Sequence, residues 1–235
     1  PGPTILLLGG VHGNEKSGAV YLQKFSKDLQ EGKINVDSGK IVVIHTANKC
    51  GFNNNSRYVP GLEYDDINRN FPKTKDDKCR DPISTTILKE VDKADIVFDF
   101  HEGYDYHKLN KRSIGSTLTT VGCKISNDLS EYIVKQLNNN IPEEHRKFTV
   151  ISSNPESPKY LKHFEIKGTL DYYCYLHDKN YILVEITGQE NKQEMDVRLN
   201  QIDIIINSLF TFIDTYRDGN NELIKNKPHP FGKCL

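Results

Sequence analysis

The sequence predicts an α/β fold: a single domain with a mixed, mostly parallel central β-sheet and helices on both faces. Short, continuously apolar segments alternate with amphipathic segments, which is typical of buried strands connected by helices. The length of 235 residues suffices for one large domain with a buried core. Because no internal repeat or linker divides the chain, we expect one domain over residues 1–216 and a loose C-terminal tail over 217–235.

Three strands and two helices are predicted in the first half of the chain. The strands cover residues 4–9, 40–46 and 95–100, and the helices cover 14–31 and 82–93. Each strand is a run of apolar residues, whereas the first helix has its apolar residues on one side. Residues 48–81 are rich in Asn, Gly, Pro, Asp and Arg and are predicted to form a long loop. A loop of this length in a compact domain is usually functional or disordered.

The second half of the chain begins with a polar stretch over residues 101–116. Three helices, one strand and one further candidate strand follow, in the order 122–138, 147–152 (candidate strand), 168–178, 181–186 (strand) and 194–216. The last helix is the longest, and its apolar residues recur at close to a 3.6-residue period.

The overall charge excludes some classes of partner. The formal net charge is −1 and the isoelectric point is about 6.8, so the sequence predicts no strongly basic surface. Neither a nucleic acid nor an anionic membrane surface is therefore an expected partner. No apolar run approaches the roughly 18 residues of a membrane span.

The cysteines favour a cytoplasmic location. Their number is odd, their spacing is wide and no CxxC motif occurs among Cys50, Cys79, Cys123, Cys174 and Cys234. This pattern argues against a disulfide framework or a cysteine-zinc site and favours a reducing compartment. No signal peptide is visible. The chain opens with Pro-Gly-Pro directly before a core strand, as a processed or truncated chain would, so the missing signal peptide adds little to this prediction.

Candidate metal ligands follow two of the predicted strands. His12 and Glu15 come directly after the first strand, and His101 follows the third. An isolated His-x-x-Glu arises often by chance, and polar strand ends also occur at ordinary surfaces. The shared position at the carboxyl ends of buried strands, where open α/β sheets place their sites, favours a metal site. Asp99 or Glu102 is a candidate hydrogen-bond partner for a ligating histidine.

A candidate base ends the last predicted strand. Glu185 follows the apolar run Tyr181–Val184, and it either reaches water as a strand-end residue or acts in catalysis. A catalytic zinc ion takes three protein ligands and a water molecule, and a nearby carboxylate acts as the base. Two histidines, one glutamate and a separate glutamate supply this set.

The long loop contains candidate binding residues for a carboxylate. Arg69 offers a planar fork that matches a carboxylate, and Asn68 adds a neutral donor. Arg57 lies in the same loop and is a candidate to polarise a scissile carbonyl. A turn-rich loop with solvated arginines is the alternative interpretation.

Four short motifs occur in an order that resembles the zinc metallocarboxypeptidase superfamily, which includes the succinylglutamate desuccinylase/aspartoacylase family: His12-x-x-Glu15, Asn68-Arg69, His101 and Glu185. The resemblance covers about residues 4–189. It implies a zinc carboxypeptidase-like fold and one Zn²⁺ per chain, with three ligands from His12, Glu15 and His101. It also implies Glu185 as general base, Asn68 and Arg69 as the carboxylate clamp, and Arg57 as the residue that polarises the carbonyl.

Two branches of the superfamily remain open. The segments around His12, Asn68 and Glu185 look like the desuccinylase and aspartoacylase side. Only about 50 residues follow Glu185, as in carboxypeptidases, whereas aspartoacylases carry a sizeable β domain there. The segment 168–171 is similar to the one that shapes the carboxypeptidase side-chain pocket, where Leu170 would line the wall.

The mobile tyrosine that carboxypeptidases carry has no clear counterpart in this sequence. His163 occupies the aligned position, and Tyr160 is the nearby candidate for substrate binding. Both residues are equally compatible with an ordinary loop.

The resemblance implies a zinc-dependent amide hydrolase of the carboxypeptidase type. Its zinc-activated water would cleave a peptide bond, peptidoglycan-type bonds included, next to a free carboxylate. The alternative is an N-acyl amino acid deacylase of the succinylglutamate desuccinylase/aspartoacylase type. The partner is in both cases a small-molecule or peptide substrate with a free carboxylate. A non-catalytic binding module would be expected to lack Glu185 or one ligand, and all are present.

Overall fold

A computed structural model of the chain describes residues 2–62, 64–152 and 167–218, with side chains described as far as residue 214. The strands are β1 (Thr4–Gly9), β2 (Lys40–Ile44), β3 (Ile96–Gly103), β4 (Thr117–Thr120), β5 (Thr149–Ser152) and β6 (Tyr181–Thr187). They form one six-stranded sheet in the order β2-β1-β3-β6-β4-β5. Every neighbouring pair is parallel except β4–β6. The predicted mixed, mostly parallel sheet is confirmed.

The described helices are α1 (Lys16–Gln30), α2 (Lys49–Asn54), α3 (Pro82–Val91), α4 (Lys124–Asn138), α5 (Leu170–Leu176) and α6 (Met195–Asp218). Three short 3₁₀ helices lie over Ile67–Arg69, Glu144–Arg146 and Gln189–Asn191. Local sequence explains how α3 begins. Asp81 Oδ1 accepts hydrogen bonds from the amides of Ile83 and Ser84, and Pro82 occupies a first-turn position that needs no donor.

The sheet separates two hydrophobic cores. On one face, side chains of α1, α4 and α6 pack against alternate strand residues, among them Phe98 and Val184. On the other face, α3, α5 and the loop around residues 59–71 pack against Val97, Leu183 and their neighbours. Helices therefore cover both faces, as predicted, and this explains why strands β1, β3 and β6 are apolar without alternation.

Two strands are longer than the sequence predicts. The predicted third strand ends at residue 100, but β3 continues through Gly103, and β6 continues through Thr187. The pairing of His101 with Glu185 and of Gly103 with Thr187 extends the parallel ladder beyond the apolar runs. His101 therefore lies inside β3 rather than after it, and Glu185 lies inside β6 as predicted. A strand fixes their backbones more firmly than a loop would.

Two short elements are missing from the prediction. Helix α2 interrupts the predicted loop 48–81, since the Asn48 side chain caps it by accepting a hydrogen bond from the Gly51 amide at 2.7 Å. Strand β4 consists mainly of threonine, and its pairing with β6 and β5 stabilises it although it lacks an apolar run.

Helix α6 runs to Asp218 and so passes the predicted domain boundary at residue 216. Most of the predicted tail, residues 219–235, lies outside the described residues, and the division of the chain stays a prediction. Among the helices of the described part of the chain, none has the length and apolarity needed to cross a membrane.

Cys123 is disulfide-bonded, whereas Cys50, Cys79 and Cys174 have free thiols. The sequence does not predict the bond at Cys123. The cytoplasmic location therefore stays a prediction. The disulfide at Cys123 weakens it, because it was based in part on a cysteine pattern that argues against disulfide bonds.

Candidate metal centre and active site

The loop between β1 and α1 brings two candidate ligands together. The Glu15 amide donates a hydrogen bond to the His12 carbonyl at 3.2 Å, which closes a tight turn between them. Gly13 lies in this turn against the backbone of α2: a Cβ at this position would lie 2.1 Å from the Gly51 carbonyl carbon. Only glycine permits this approach. The turn explains the three-residue spacing of the two side chains.

The three predicted ligands converge at one point. His12 Nδ1 lies 2.8 Å from Glu15 Oε1, and His101 Nδ1 lies 2.9 Å from Glu15 Oε2. The two Nδ1 atoms are 3.1 Å apart. One ligand atom from each residue lies within 4.8 Å of the others, and all three residues are buried. Two imidazole nitrogens and a carboxylate in this arrangement form a donor set that zinc prefers.

The outward nitrogens of both histidines face carboxylates. His12 Nε2 lies 3.2 Å from Asp66 Oδ1, and His101 Nε2 lies 3.1 Å from Asp99 Oδ1. The His101–Asp99 contact lacks hydrogen-bond alignment, so we describe it as electrostatic. When the Nε2 atoms are protonated towards these carboxylates, both Nδ1 lone pairs point at Glu15. A cluster of lone pairs and negative charge then remains, and it fits a bound cation.

Asp99 is the histidine partner that the sequence left open between Asp99 and Glu102. Its second oxygen, Oδ2, accepts a hydrogen bond from the Tyr181 hydroxyl at 2.9 Å, and both residues are buried. Glu102 lies on the opposite side of β3 and does not contact His101 through its side chain. Its carboxylate instead contacts Arg198 and the Ser17 amide.

The carboxylate of Glu15 has three further donors. The Glu102 amide donates to Oε2 at 3.0 Å, and Arg57 Nη1 and Gln189 Nε2 donate to Oε1 at 3.2 and 3.3 Å. Burial raises the pKa of Glu15, but His12 and His101 outweigh burial, and the net shift is strongly downward. Glu15 therefore stays ionised, as a ligand must.

Burial lowers the pKa of His101, but the negative charges of Asp99 and Glu15 outweigh this and raise it well above its ordinary value. In the absence of a cation, a proton on His101 balances part of the negative charge. A cation at the same place would displace that proton.

Glu185 lies next to His101 on the neighbouring parallel strand, in direct register. Paired residues of adjacent strands project to the same face of a sheet, so Glu185 faces the same side as the ligand set. Burial raises the pKa of Glu185 well above its ordinary value, and the charges of Glu15 and Asp99 add to this rise against the opposing effect of His101. Among the described residues its carboxylate has no hydrogen-bond partner. Such a carboxylate is suited to accept a proton.

Arg57 is held in an ion-pair network. Its guanidinium contacts Glu15 Oε1 at 3.2 Å and Asp66 Oδ2 at 3.2 Å, while 30% of the side chain is exposed. Burial raises the pKa of Asp66, but His12 and Arg57 outweigh burial and lower it. Arg57 thus bridges Glu15, a predicted ligand, and Asp66, the carboxylate that faces His12. A contact with a substrate carbonyl stays a prediction.

The predicted carboxylate clamp lies on a 3₁₀ turn. Asp66 caps this turn by accepting a hydrogen bond from the Asn68 amide at 3.0 Å. The Asn68 side-chain oxygen accepts a hydrogen bond from the Leu170 amide at 3.0 Å, so that its NH₂ group points away from this contact. Arg69 is exposed and forms no ion pair with a described residue.

Leu170 is fully buried in the core that contains α3 and α5. Its backbone is the part that contacts the clamp. A direct contact between its side chain and substrate stays a prediction. Tyr160 and His163 lie outside the described residues.

Three residues of the site were not assigned roles from the sequence. Asp66 contacts His12 and Arg57, Gln189 contacts Glu15, and Arg198 contacts Glu102. Of these three residues, only Asp66 could have been found from the sequence. It stands two residues before Asn68, where a carboxylate is suited to cap the turn. Gln189 and Arg198 reach the site through long-range packing that no local pattern reports.

Known proteins are similar to this chain in sequence over part of its length. Residues 1–112 match the model of the succinylglutamate desuccinylase/aspartoacylase catalytic domain. An N-alpha-acetyl-L-2,4-diaminobutyric acid deacetylase from Halomonas elongata is 32% identical over 105 residues, which are 43% of this chain and 29% of that protein. The family match contains His12, Glu15, Asn68, Arg69 and His101.

Solved structures extend the likeness over nearly the whole fold. The mDAP-bound form of Csd4 from Helicobacter pylori, a D,L-carboxypeptidase, superposes with a TM-score of 0.74 at 16% identity and covers 91% of this chain. Carboxypeptidase A from Helicoverpa armigera has a TM-score of 0.62 at 11% identity and covers 89% of this chain. The chain spans 51% and 60% of these two proteins, respectively.

Over residues 1–112 the sequence is similar to the succinylglutamate desuccinylase/aspartoacylase catalytic domain, and the chain shares the fold of the two carboxypeptidase structures. These findings confirm the resemblance predicted from the sequence.

Proposed function

We propose that the chain is a zinc-dependent amide hydrolase of the carboxypeptidase type. One Zn²⁺ per chain would be held by His12, Glu15 and His101. The observation that carries this proposal is the convergence of two Nδ1 atoms and the Glu15 carboxylate, all buried and within 4.8 Å of one another. The carboxylates of Asp66 and Asp99 behind the histidines support it.

Zinc, when bound, supplies a Lewis acid that lowers the pKa of a water molecule and polarises a carbonyl. The chain's own residues then move the protons. Glu185 takes a proton from the attacking water and delivers it to the leaving amine. Its burial beside His101 supports this role, as does the absence of a competing hydrogen bond from any residue that the structure describes.

Asn68 and Arg69 would bind a free carboxylate next to the scissile bond. The exposed guanidinium of Arg69 can contact both oxygens, and the Asn68 NH₂ group adds a second donor. Arg57 would contribute positive charge near the carbonyl oxygen, for which its partial exposure leaves room. The substrate is then an amide with an adjacent carboxylate, such as a peptide C-terminus, a peptidoglycan stem peptide or an N-acyl amino acid.

A carboxypeptidase is our first candidate. The likeness to Csd4, which is named as a D,L-carboxypeptidase, covers 91% of the chain. The segment 168–171 packs beside the clamp through the Leu170 amide, as expected for a wall of the substrate site.

A deacylase of N-acyl amino acids is the second candidate. The family match over residues 1–112 and the 32% identity to a deacetylase support it. The family match covers the part of the chain that contains the proposed clamp and all three proposed ligands.

A substrate panel tests the proposal and separates the two candidates. The zinc-loaded protein is incubated with peptides that have a free C-terminus, peptidoglycan stem peptides, and N-succinyl- and N-acetyl-amino acids. C-terminally amidated peptides and the Glu185→Gln variant are the controls. Release of amino acids from free peptides alone supports the carboxypeptidase. Release from acyl amino acids alone supports the deacylase, and hydrolysis of neither class contradicts the proposal.

A further inference from the structure

A buried ion pair lies on the side of β3 opposite the proposed metal centre. Arg198 Nη1 of helix α6 donates to both carboxylate oxygens of Glu102, at 3.0 and 3.1 Å, and to the Gly188 carbonyl at 3.2 Å. The exposed fractions are 2% for Glu102 and 4% for Arg198. A buried pair of this kind is usually no more stabilising than apolar residues of the same volume, so its presence calls for another explanation.

The first turn of α1 supplies that explanation. The Ser17 amide donates a hydrogen bond to Glu102 Oε1 at 2.8 Å. Helix α1 begins after Glu15, and the side chain of this N-cap residue makes no capping hydrogen bond. Its carboxylate instead faces His12 and His101. The amides of a first helical turn need acceptors, and Glu102 provides one from another strand.

Close packing makes this contact possible. Gly18 of α1 lies against β3, and a Cβ at this position would lie 2.6 Å from the Phe100 Cβ. The absence of a side chain lets the first turn of α1 approach the strand near Glu102. An anionic acceptor at a helix N-terminus is also favoured by the helix dipole.

We propose that Glu102 caps α1 in place of Glu15 and that Arg198 holds Glu102 in this position. The cap leaves the Glu15 carboxylate free to ligate a metal ion. Glu102 also fixes Glu15 directly, because its amide donates to Glu15 Oε2 at 3.0 Å. Glu102 and Arg198 are thus positioning residues for the ligand set. This inference rests on the proposed function, in which Glu15 is a zinc ligand.

Two double variants test the capping contact between the Ser17 amide and the Glu102 side chain. Glu102→Gln/Arg198→Met removes both charges but keeps an oxygen that accepts from Ser17, whereas Glu102→Leu/Arg198→Met removes the acceptor as well. Zinc affinity is measured by competition with a chromophoric chelator, and the stability of the metal-free proteins is measured by denaturant unfolding. The cobalt-substituted proteins report the geometry of the ligand set through their absorption spectra. Tyr21→Phe is the matched control, since it removes a different contact between α1 and α6, the 2.7 Å hydrogen bond to Asp203.

The leucine variant is expected to bind zinc about tenfold more weakly than the glutamine variant and to show an altered cobalt spectrum, as loss of outer partners of metal ligands does elsewhere. Tyr21→Phe should stay close to the wild type. The glutamine variant keeps the acceptor but loses the contact with Arg198, so its zinc affinity should fall between those of the wild type and the leucine variant. Equal zinc affinity and equal spectra in the two double variants would overturn the inference. So would failure of the leucine variant or of both variants to fold, because the pair would then serve the fold as a whole. A wild-type protein that binds no zinc would instead overturn the proposed function.

Discussion

His101 and Glu185 lie side by side, in register, on the adjacent parallel strands β3 and β6. The pairing places a buried carboxylate beside a predicted zinc ligand although the two residues are 84 positions apart in the sequence. Because each residue lies within a strand, neither can move far without breaking the sheet. The two central strands therefore fix the distance between the proposed metal centre and the proposed base.

Glu185→Gln should separate metal binding from turnover. The proposed ligand set does not include Glu185, so the variant is expected to keep its zinc. Its kcat should fall by about 10²- to 10⁴-fold, because the amide cannot accept and deliver the proton. Kinetics of wild type and variant at equal zinc content provide the measurement. Unchanged turnover would show that Glu185 is not the base.

Zinc binding should release protons and weaken in acid. The pKa of His101 is raised by Asp99 and Glu15 against the effect of burial, so a proton competes with the metal for Nδ1. The dissociation constant for zinc is expected to fall as pH rises from about 5 to about 8. Calorimetric titration in buffers of different ionisation enthalpy counts the released protons.

The stability of the metal-free protein should change with pH in the opposite direction to zinc affinity, again because of His101. Stabilisation by protonated His101 is fully present below its ordinary pKa of 6.5 and is lost as the pH rises through the raised value. A zinc affinity that does not change with pH would contradict this description of His101.

Removing the charge behind His101 should weaken zinc binding. Asp99→Asn is expected to lower zinc affinity by about 10- to 100-fold, because the neutral amide leaves His101 a poorer ligand. Tyr181→Phe should have a smaller effect, since it removes only the hydrogen bond to Asp99. Tyr173→Phe is the matched control: it breaks a similar hydrogen bond to Asp92, away from the metal centre. Equal zinc affinities in Asp99→Asn and Tyr173→Phe would refute the assigned role.

Arg69→Ala should raise KM for substrates with a free carboxylate by about tenfold or more, as expected for the loss of a hydrogen bond to a charged group. The same variant should change little for amidated substrates, which lack the carboxylate. Arg80→Ala, which removes another exposed arginine that stacks on Tyr64, serves as control. If Arg80→Ala raises KM as much as Arg69→Ala does, the effect comes from general surface charge.

Much of the site could be predicted because its main residues lie at the carboxyl ends of neighbouring strands. The apolar runs before His12, His101 and Glu185 define strands, and the carboxyl ends of parallel strands meet at one edge of a sheet. The short turn between His12 and Glu15 depends on Gly13, which the sequence also shows.

The remaining contacts depend on packing between distant segments. Glu102 looks like a surface residue next to His101, but strand alternation turns it into the opposite core, where Arg198 balances its charge. Strand β4 lacks an apolar run and becomes recognisable only through its pairing with β6. Gln189 reaches Glu15 across 174 positions, a contact that no local pattern encodes.

The most direct measurement is the metal content of the purified chain by elemental analysis, for the wild type and for His12→Ala and His101→Ala. His45→Ala is the control, since this exposed histidine lies outside the ligand set. We expect about one zinc per chain in the wild type and the control, and loss of zinc in the other two variants. A wild type that takes up no zinc even when it is supplied, or variants that keep it, would contradict the account of a zinc centre formed by His12, Glu15 and His101.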